Sequence, residues 1–205
     1  MSFFKIGAGL AAALSLLACS SPGSRQVSRF APSADYLGQP FGANPRLQLS
    51  IEGDRLVLRG ARAAPAQVAT SAVPGQFRPE LWRADCVELF LANPDNGYYL
   101  ELNLSPNGSW WACLFRAPLK RSQPEGFALL GTIAQGRVSP ERWDCSLSIP
   151  LASLPPEISF APGKTRYNLS CCIGDDKIEQ RYASLAPLPA GPANFHCPSH
   201  WLPLP

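Results

Sequence analysis

Methionine and histidine are almost missing from this chain: its 205 residues hold one Met, Met1, and two His, His196 and His200. No Cys-x-x-Cys pair accompanies those histidines, so His196-Cys-Pro-Ser-His200 carries only half of a structural zinc signature, and no metal site is expected. Blocks of basic residues are absent too. The 18 Lys and Arg are spread against 15 Asp and Glu, which excludes the charged stripe that nucleic acid or an anionic membrane patch selects. No stretch sustains a helical period. No nucleophile elbow, phosphate-cradling loop or metalloprotease motif is present, so the reading is of a protein that is not an enzyme. No apolar run is long enough to span a bilayer as a helix.

The longest candidate run, Leu10-Ala-Ala-Ala-Leu-Ser-Leu-Leu-Ala18, ends on Cys19 and follows a single positive residue, Lys5. That order is a bacterial lipoprotein signal, with small Ala18 at the cut. Residues 1–18 are expected to be removed and Cys19 to be lipidated, with acyl chains tethering the chain to a membrane without inserting it. Ser20 follows the lipidated position, and in the sorting rules this resembles, a residue other than Asp there implies the outer membrane, facing the periplasm. Residues 19–34 begin with small polar residues and read as a tether. Residues 35–205 are enough for one domain.

Six further cysteines, Cys86, Cys113, Cys145, Cys171, Cys172 and Cys197, make an even set in an exported chain. Up to three disulfides are expected, with the connectivity open. Cys171 and Cys172 are neighbours on a predicted strand, so they point to opposite faces and suit different partners.

The periodicity that is present is that of strands. Leu47–Ile51 and Leu56–Leu58 flank a Glu-Gly-Asp turn, a hairpin signal. Cys86–Leu91, Tyr98–Leu104 and Trp110–Phe115 form a meander whose connections, Asn93-Pro-Asp-Asn-Gly97 and Ser105-Pro-Asn-Gly108, are turns by chemistry. Later candidates run over Phe127–Ala134, Arg137–Ile149, Thr165–Ile173 and Ile178–Ser184. Short strands spaced by Pro- and Gly-rich turns predict an all-β, immunoglobulin-like antiparallel sandwich of two sheets.

Register follows from the turns. Pairing Ser105 with Ser109 opposes Asn103 to Trp111, Glu101 to Cys113 and Tyr99 to Phe115, leaving Leu100, Leu102, Leu104, Trp110, Ala112 and Leu114 on the core face. Pairing Leu91 with Tyr98 adds Val87, Leu89 and Leu91 to the core and sets Glu88 and Phe90 beside Glu101 and Tyr99. The other face then carries Glu88, Tyr99, Glu101, Asn103 and Trp111. Flat aromatic rings cover the C–H face of a pyranose, and carboxylates and amides bond its hydroxyls, so this residue mixture suits a saccharide. Packing of the same rings beneath a loop or sheet is the plain alternative. Two carboxylates on adjacent strands also suit glycoside hydrolysis, but no other catalytic feature accompanies them.

Three segments together resemble the DOMON-like superfamily and, within it, the family 9 carbohydrate-binding modules: Trp82-Arg-Ala-Asp-Cys-Val-Glu-Leu-Phe-Leu91, Tyr99-Leu-Glu-Leu-Asn-Leu-Ser-Pro-Asn-Gly108 and Asn194-Phe-His-Cys-Pro-Ser-His-Trp201. The similarity spans roughly residues 36 to 204. It implies a sandwich that binds sugar, with Asp85 and Glu88 on the acidic strand, Glu101 and Asn103 on the next and His196 as the closing histidine. Sugar-binding relatives place a Trp before that histidine; here the stretch is Arg181-Tyr-Ala-Ser-Leu-Ala-Pro187, and Tyr182 takes that place. Some relatives hold calcium, for which Asp175 and Asp176 offer oxygens, although carboxylates in a loop are more often solvated. A haem-binding branch uses Met and His ligands. With Met1 in the cleaved signal and His196 too close to His200 for opposite axial positions, haem is excluded and no cofactor is expected.

The candidate saccharide site is thus Glu88, Tyr99, Glu101, Asn103, Trp111 and Tyr182. The alternative is a structural lipoprotein whose same aromatics dock an envelope protein, for which Trp and Tyr are favoured anchors.

Overall fold

The computed structural model describes residues 23–205; the expected signal, residues 1–18, the expected lipidation position Cys19 and residues 20–22 lie outside them. The strands, in chain order, are β1 (Ser24–Phe30), β2 (Arg46–Glu52), β3 (Arg55–Arg62), β4 (Cys86–Ala92), β5 (Tyr99–Leu104), β6 (Trp110–Ala117), β7 (Lys120–Arg121), β8 (Ile133–Val138), β9 (Trp143–Pro150), β10 (Arg166–Asp175), β11 (Glu179–Ser184) and β12 (Leu202–Pro203). They form two antiparallel sheets: β1-β2-β3-β9-β8, and β11-β10-β4-β5-β6-β7 with β12 beside β10. The fold is an all-β sandwich, and among the described residues no helix is long and apolar enough to cross a membrane.

The two sheets bury differently. In β9 the buried residues alternate, with Trp143, Cys145, Leu147 and Ile149 turned inward, as in a sheet with one wet face. In β4 and β5 every residue is buried, so the seven-stranded sheet is covered on both faces. Its inner face supplies Val87, Leu89, Leu91, Leu100, Leu102, Leu104, Trp110, Ala112 and Leu114 to the main core, as their alternation requires. Opposite them lie Leu47, Leu49, Leu56, Leu58, Trp143 and Leu147 of the five-stranded sheet. The Ser105–Gly108 turn lies so close to β8 that a Cβ on Gly136 would fall onto the backbone of Pro106 and Asn107. Only glycine permits that approach.

The β5–β6 register is the expected one: Asn103 opposes Trp111, Glu101 opposes Cys113 and Tyr99 opposes Phe115. The β4–β5 register is shifted by two residues. Leu91 faces Leu100 rather than Tyr98, Glu88 faces Asn103, and Phe90 faces Glu101. The cause is the turn: the Asn93 amide donates to the Tyr98 carbonyl at 3.0 Å, so Asn93, expected in the loop, pairs with Tyr98 and extends the ladder by two residues on the β4 side. A shift of two preserves which face each side chain takes.

Part of the expected tether is strand. Ser24–Phe30 pairs with β2 over six register positions as an edge strand, with a bulge between Gln26 and Ser28. Its polar residues suit an edge, while Val27 and Phe30 pack on the core. Phe127–Thr132 is irregular, and Arg137–Ile149 divides into two strands around a turn at Ser139–Arg142.

No disulfide forms among the described residues; Cys86, Cys113, Cys145, Cys171, Cys172 and Cys197 are free thiols. The predicted divergence of Cys171 and Cys172 is real, since Cys171 enters the core between the sheets and Cys172 the opposite face. Cys86 faces Cys172 directly across β4 and β10. The ladder turns make this a hydrogen-bonded pair, whose parallel side chains start about 5.5 Å apart rather than the roughly 3.8 Å between Cβ atoms that a disulfide needs.

Candidate functional site

The outer face of the seven-stranded sheet brings together the residues singled out from sequence. Glu88, Tyr99, Glu101, Asn103 and Trp111 share it by register, and Tyr182 reaches it from β11, where it pairs with Cys172 beside Cys86. Five of the six are buried, however: Glu88 is 3%, Glu101 5%, Trp111 2% and Tyr99 and Asn103 0% exposed. The face forms a second packed cluster with Phe90, Phe115, Cys113, Cys172 and Trp201.

Two irregular segments cover it. Ala193–Trp201 crosses as a strap: the Tyr99 hydroxyl is hydrogen-bonded to His196 Nδ1 at 2.9 Å, and Phe90 packs on Trp201 with ring centroids 5.2 Å apart. The Trp201 indole N–H donates to the Phe195 carbonyl, pinning the strap to itself. On the other side, Ser122–Phe127 lies over Trp111, whose Nε1 donates to the Glu125 carbonyl at 2.9 Å, while the Arg121 guanidinium sits 5.0 Å from the ring centroid. Gly126, at φ 74°, touches the indole so closely that a Cβ there would meet Trp111 Nε1 at 2.6 Å. Trp111 is therefore a packed ring rather than an open platform.

Beneath this cover the polar residues hold one another. Asn103 Nδ2 donates to Glu101 Oε1 at 2.9 Å, and Ser170 Oγ donates to Glu88 Oε2 at 3.1 Å. The Asn103 Oδ1 atom is buried with no hydrogen-bond partner among the described residues. Burial pushes both carboxyls above the usual carboxylate range, and the charge of Glu101 pushes Glu88 further. Burial and the nearby Arg121 push His196 down to about 4. His196 is thus a neutral imidazole at pH 7, and its Nε2, 3.9 Å from Glu101 Oε2, makes no ion pair there.

The accessible part lies at the β10–β11 edge. Trp82, absent from the candidates drawn from sequence, sits half-buried on the short 3-10 turn Leu81–Arg83 and packs against the cluster, as do Tyr182 and Phe195. Gln180 joins the first two: its Nε2 donates to the Trp82 carbonyl and its Oε1 accepts from the Tyr182 hydroxyl at 2.9 Å. Tyr182 and Phe195 meet edge to face, with centroids 6.1 Å apart. Asp85 fixes this corner, its carboxylate accepting from the Gly174 and Gln67 amides. The signal for Trp82 was its place beside Asp85 and Glu88 in the acidic segment. Asp175 and Asp176 do not converge on a cation: Asp175 accepts from the Lys177 amide and Asp176 pairs with Arg83 at 2.9 Å. No group of three His, Cys, Asp or Glu among the described residues could hold a metal.

A shallow groove of about 700 Å³ runs between Phe30–Leu37 and Ala183–Gly191. Its one carboxylate, Asp35, is engaged by Arg181 at 2.9 Å and by the Leu37 and Gln39 amides. Asp35 is therefore already engaged within the fold.

Solved structures share this antiparallel sandwich. A Bacteroides uniformis protein of inferred carbohydrate-binding function superposes with a TM-score of 0.62 at 17% identity, over 85% of this chain and 84% of its own. A family 9 carbohydrate-binding module from Caldicellulosiruptor kristjanssonii, solved with cellotriose, gives 0.50 at 14% identity over 78% of this chain and 73% of its own. The same values of 0.50, 14% and 78% hold for that module with glucose, over 74% of its chain. The chain shares their fold. No protein-family model matches the sequence, and no curated protein matches it significantly.

Proposed function

We propose that this chain is a lipid-anchored, non-catalytic carbohydrate-binding module of the outer membrane, facing the periplasm, with Cys19 as the lipidated residue. The observation that carries the saccharide reading is the half-buried pair Trp82 and Tyr182, bridged by Gln180. Rings at that rim supply stacking surface, and the partly exposed Gln180 amide between them supplies a hydroxyl partner, while Glu88 lies buried in the floor beneath. Tyr99, Glu101, Asn103 and Trp111 form the packed floor that holds the rim in place. The shared fold with modules that bind cellotriose and glucose supports the same reading. Glu88 and Glu101 are not read as a hydrolytic pair, because both are buried where a glycosidic bond does not reach them.

The test is a glycan-array screen followed by titration of the chain from Ser20 onward, with Trp82→Ala and Tyr182→Ala run beside it. Saturable binding, weakened at least tenfold in each variant with unchanged thermal unfolding, is the expected result. No binding by a folded protein, or variants that bind as well as the parent, overturns it and favours docking to an envelope protein.

A further inference from the structure

We infer that the sandwich stands on the membrane by the end where β1 begins, and holds its Trp82–Tyr182 rim at the opposite end, facing away from the lipid. This rests on the anchoring and site readings above and adds a membrane-contact surface that neither contains. Four residues, Ser20 to Gly23, separate Cys19 from β1, and a fully extended chain spans at most about 3.6 Å per residue, roughly 18 Å across the five steps to Ser24. Ser24 cannot drift from its sheet, since β1 is paired with β2 along its length and the Gly53 amide donates to the Gly23 carbonyl.

The elements around Ser24 form one end of the molecule. Ser24 faces Glu52 at the β2–β3 turn, the Leu151 amide donates to the Asp54 carbonyl, and Arg55 donates to the Gly131 carbonyl at 2.8 Å. Leu130, 86% exposed, projects from this same end. Its charges, Glu52, Asp54 and Arg55, are mixed, so a short tether and not charge attraction keeps this end at the surface.

The rim lies at the far end. A Cβ on Gly60 would meet the Val87 side chain, which sets the start of β4 level with the last residues of β3. Tyr182 pairs with Cys172, which pairs with Cys86 at that same level, and Trp82 precedes it. From Arg55 to Ala61 is six residues, about 20 Å at 3.3 Å each. Ile178, on the β10–β11 turn beyond the rim, is also 86% exposed. Leu130 and Ile178 therefore mark the two ends.

The test uses the full chain, processed in cells and reconstituted into phosphatidylethanolamine–phosphatidylglycerol vesicles carrying a headgroup-linked quencher. A fluorescent side chain is encoded at residue 130 in one protein and at residue 178 in another. Expected is quenching at 130 at least fivefold stronger than at 178, with the difference abolished when twelve Gly/Ser residues are inserted after Ser20. Equal quenching, or stronger quenching at 178, overturns the orientation. Flotation with vesicles no better than that of Cys19→Ser overturns the anchor and the orientation with it. Saccharide binding is read separately on the unlipidated chain, so its failure is distinguishable from both.

Discussion

The two faces of the seven-stranded sheet are equally buried but built from different materials. The inner face is a leucine-rich layer pressed against a second sheet, with regular strands on both sides. The outer face is a mixture of rings, thiols and carboxyls beneath a strap and a loop that lack regular strand pairing. A sheet-on-sheet core opens only when the fold opens, whereas irregular cover makes fewer backbone hydrogen bonds and belongs to the low-stability end of a protein. Burial alone therefore does not distinguish structure from function in this molecule. Position relative to an accessible edge does, and under the proposed saccharide reading it assigns stacking to Trp82 and Tyr182 rather than to Trp111.

The strongest way to test the contrast is to remove one side chain from each face. Leu89→Ala, in the inner layer, is expected to cost about 3–5 kcal/mol in denaturant unfolding. Trp111→Ala should follow at about 3 kcal/mol, because the ring is buried and its N–H is bonded to Glu125, and any loss of sugar binding should track the loss of fold. A Trp111→Ala protein of normal stability that has lost only binding would restore the open-platform reading.

Titration separates the faces further, since β4, β5 and β6 contribute only apolar side chains to the inner layer. The folded state raises the carboxyls of Glu88 and Glu101, so the stability they confer when neutral is full below the ordinary value of 4.5 and is lost as pH rises through the raised folded values. Glu88→Gln with Glu101→Gln should therefore gain stability relative to the parent as pH rises from 5 to 8, because the variant has no buried carboxyl to ionise. His196 has the opposite sign: its contribution is present above 6.5 and is lost as pH falls toward about 4. Unfolding curves from pH 4 to 9 check both slopes, and a pH-independent difference between parent and double variant would contradict the burial of the pair. The smallest stability change, under about 1 kcal/mol, is expected for Trp82→Ala, whose residue is only partly buried and whose effect should appear in affinity instead.

The meander was readable because its turns carry Pro, Asn and Gly at positions that dictate geometry, and a period of two then assigns every side chain to a face. The β5–β6 pairing followed from one turn, Ser105–Gly108. The two-residue error at β4–β5 arose because Asn93 and Tyr98 close a loop whose ends also belong to the ladder, which residue chemistry does not announce. β1 was hidden because an edge strand needs little apolar sequence, here Val27 and Phe30. The cover was beyond reach for a different reason. Asn194–Trp201 and Ser122–Phe127 have no period to project, so nothing local states that they lie across Trp111 and Tyr99. Six cysteines in a chain whose sequence reads as exported suggested bridges, yet pairing depends on Cβ geometry that only the assembled sheets define.

The placement of β1 also has a mechanical meaning. A pull between residue 23 and the Trp82–Tyr182 rim runs along the strand axis, so β1 is drawn lengthwise past β2. Ladder hydrogen bonds lie perpendicular to the strands, and the six paired positions share that load in shear rather than parting one at a time. A module held at one end and gripping a polymer at the other would thus resist traction through its first strand, and its lifetime under force would be set by the rate at which that strand slips.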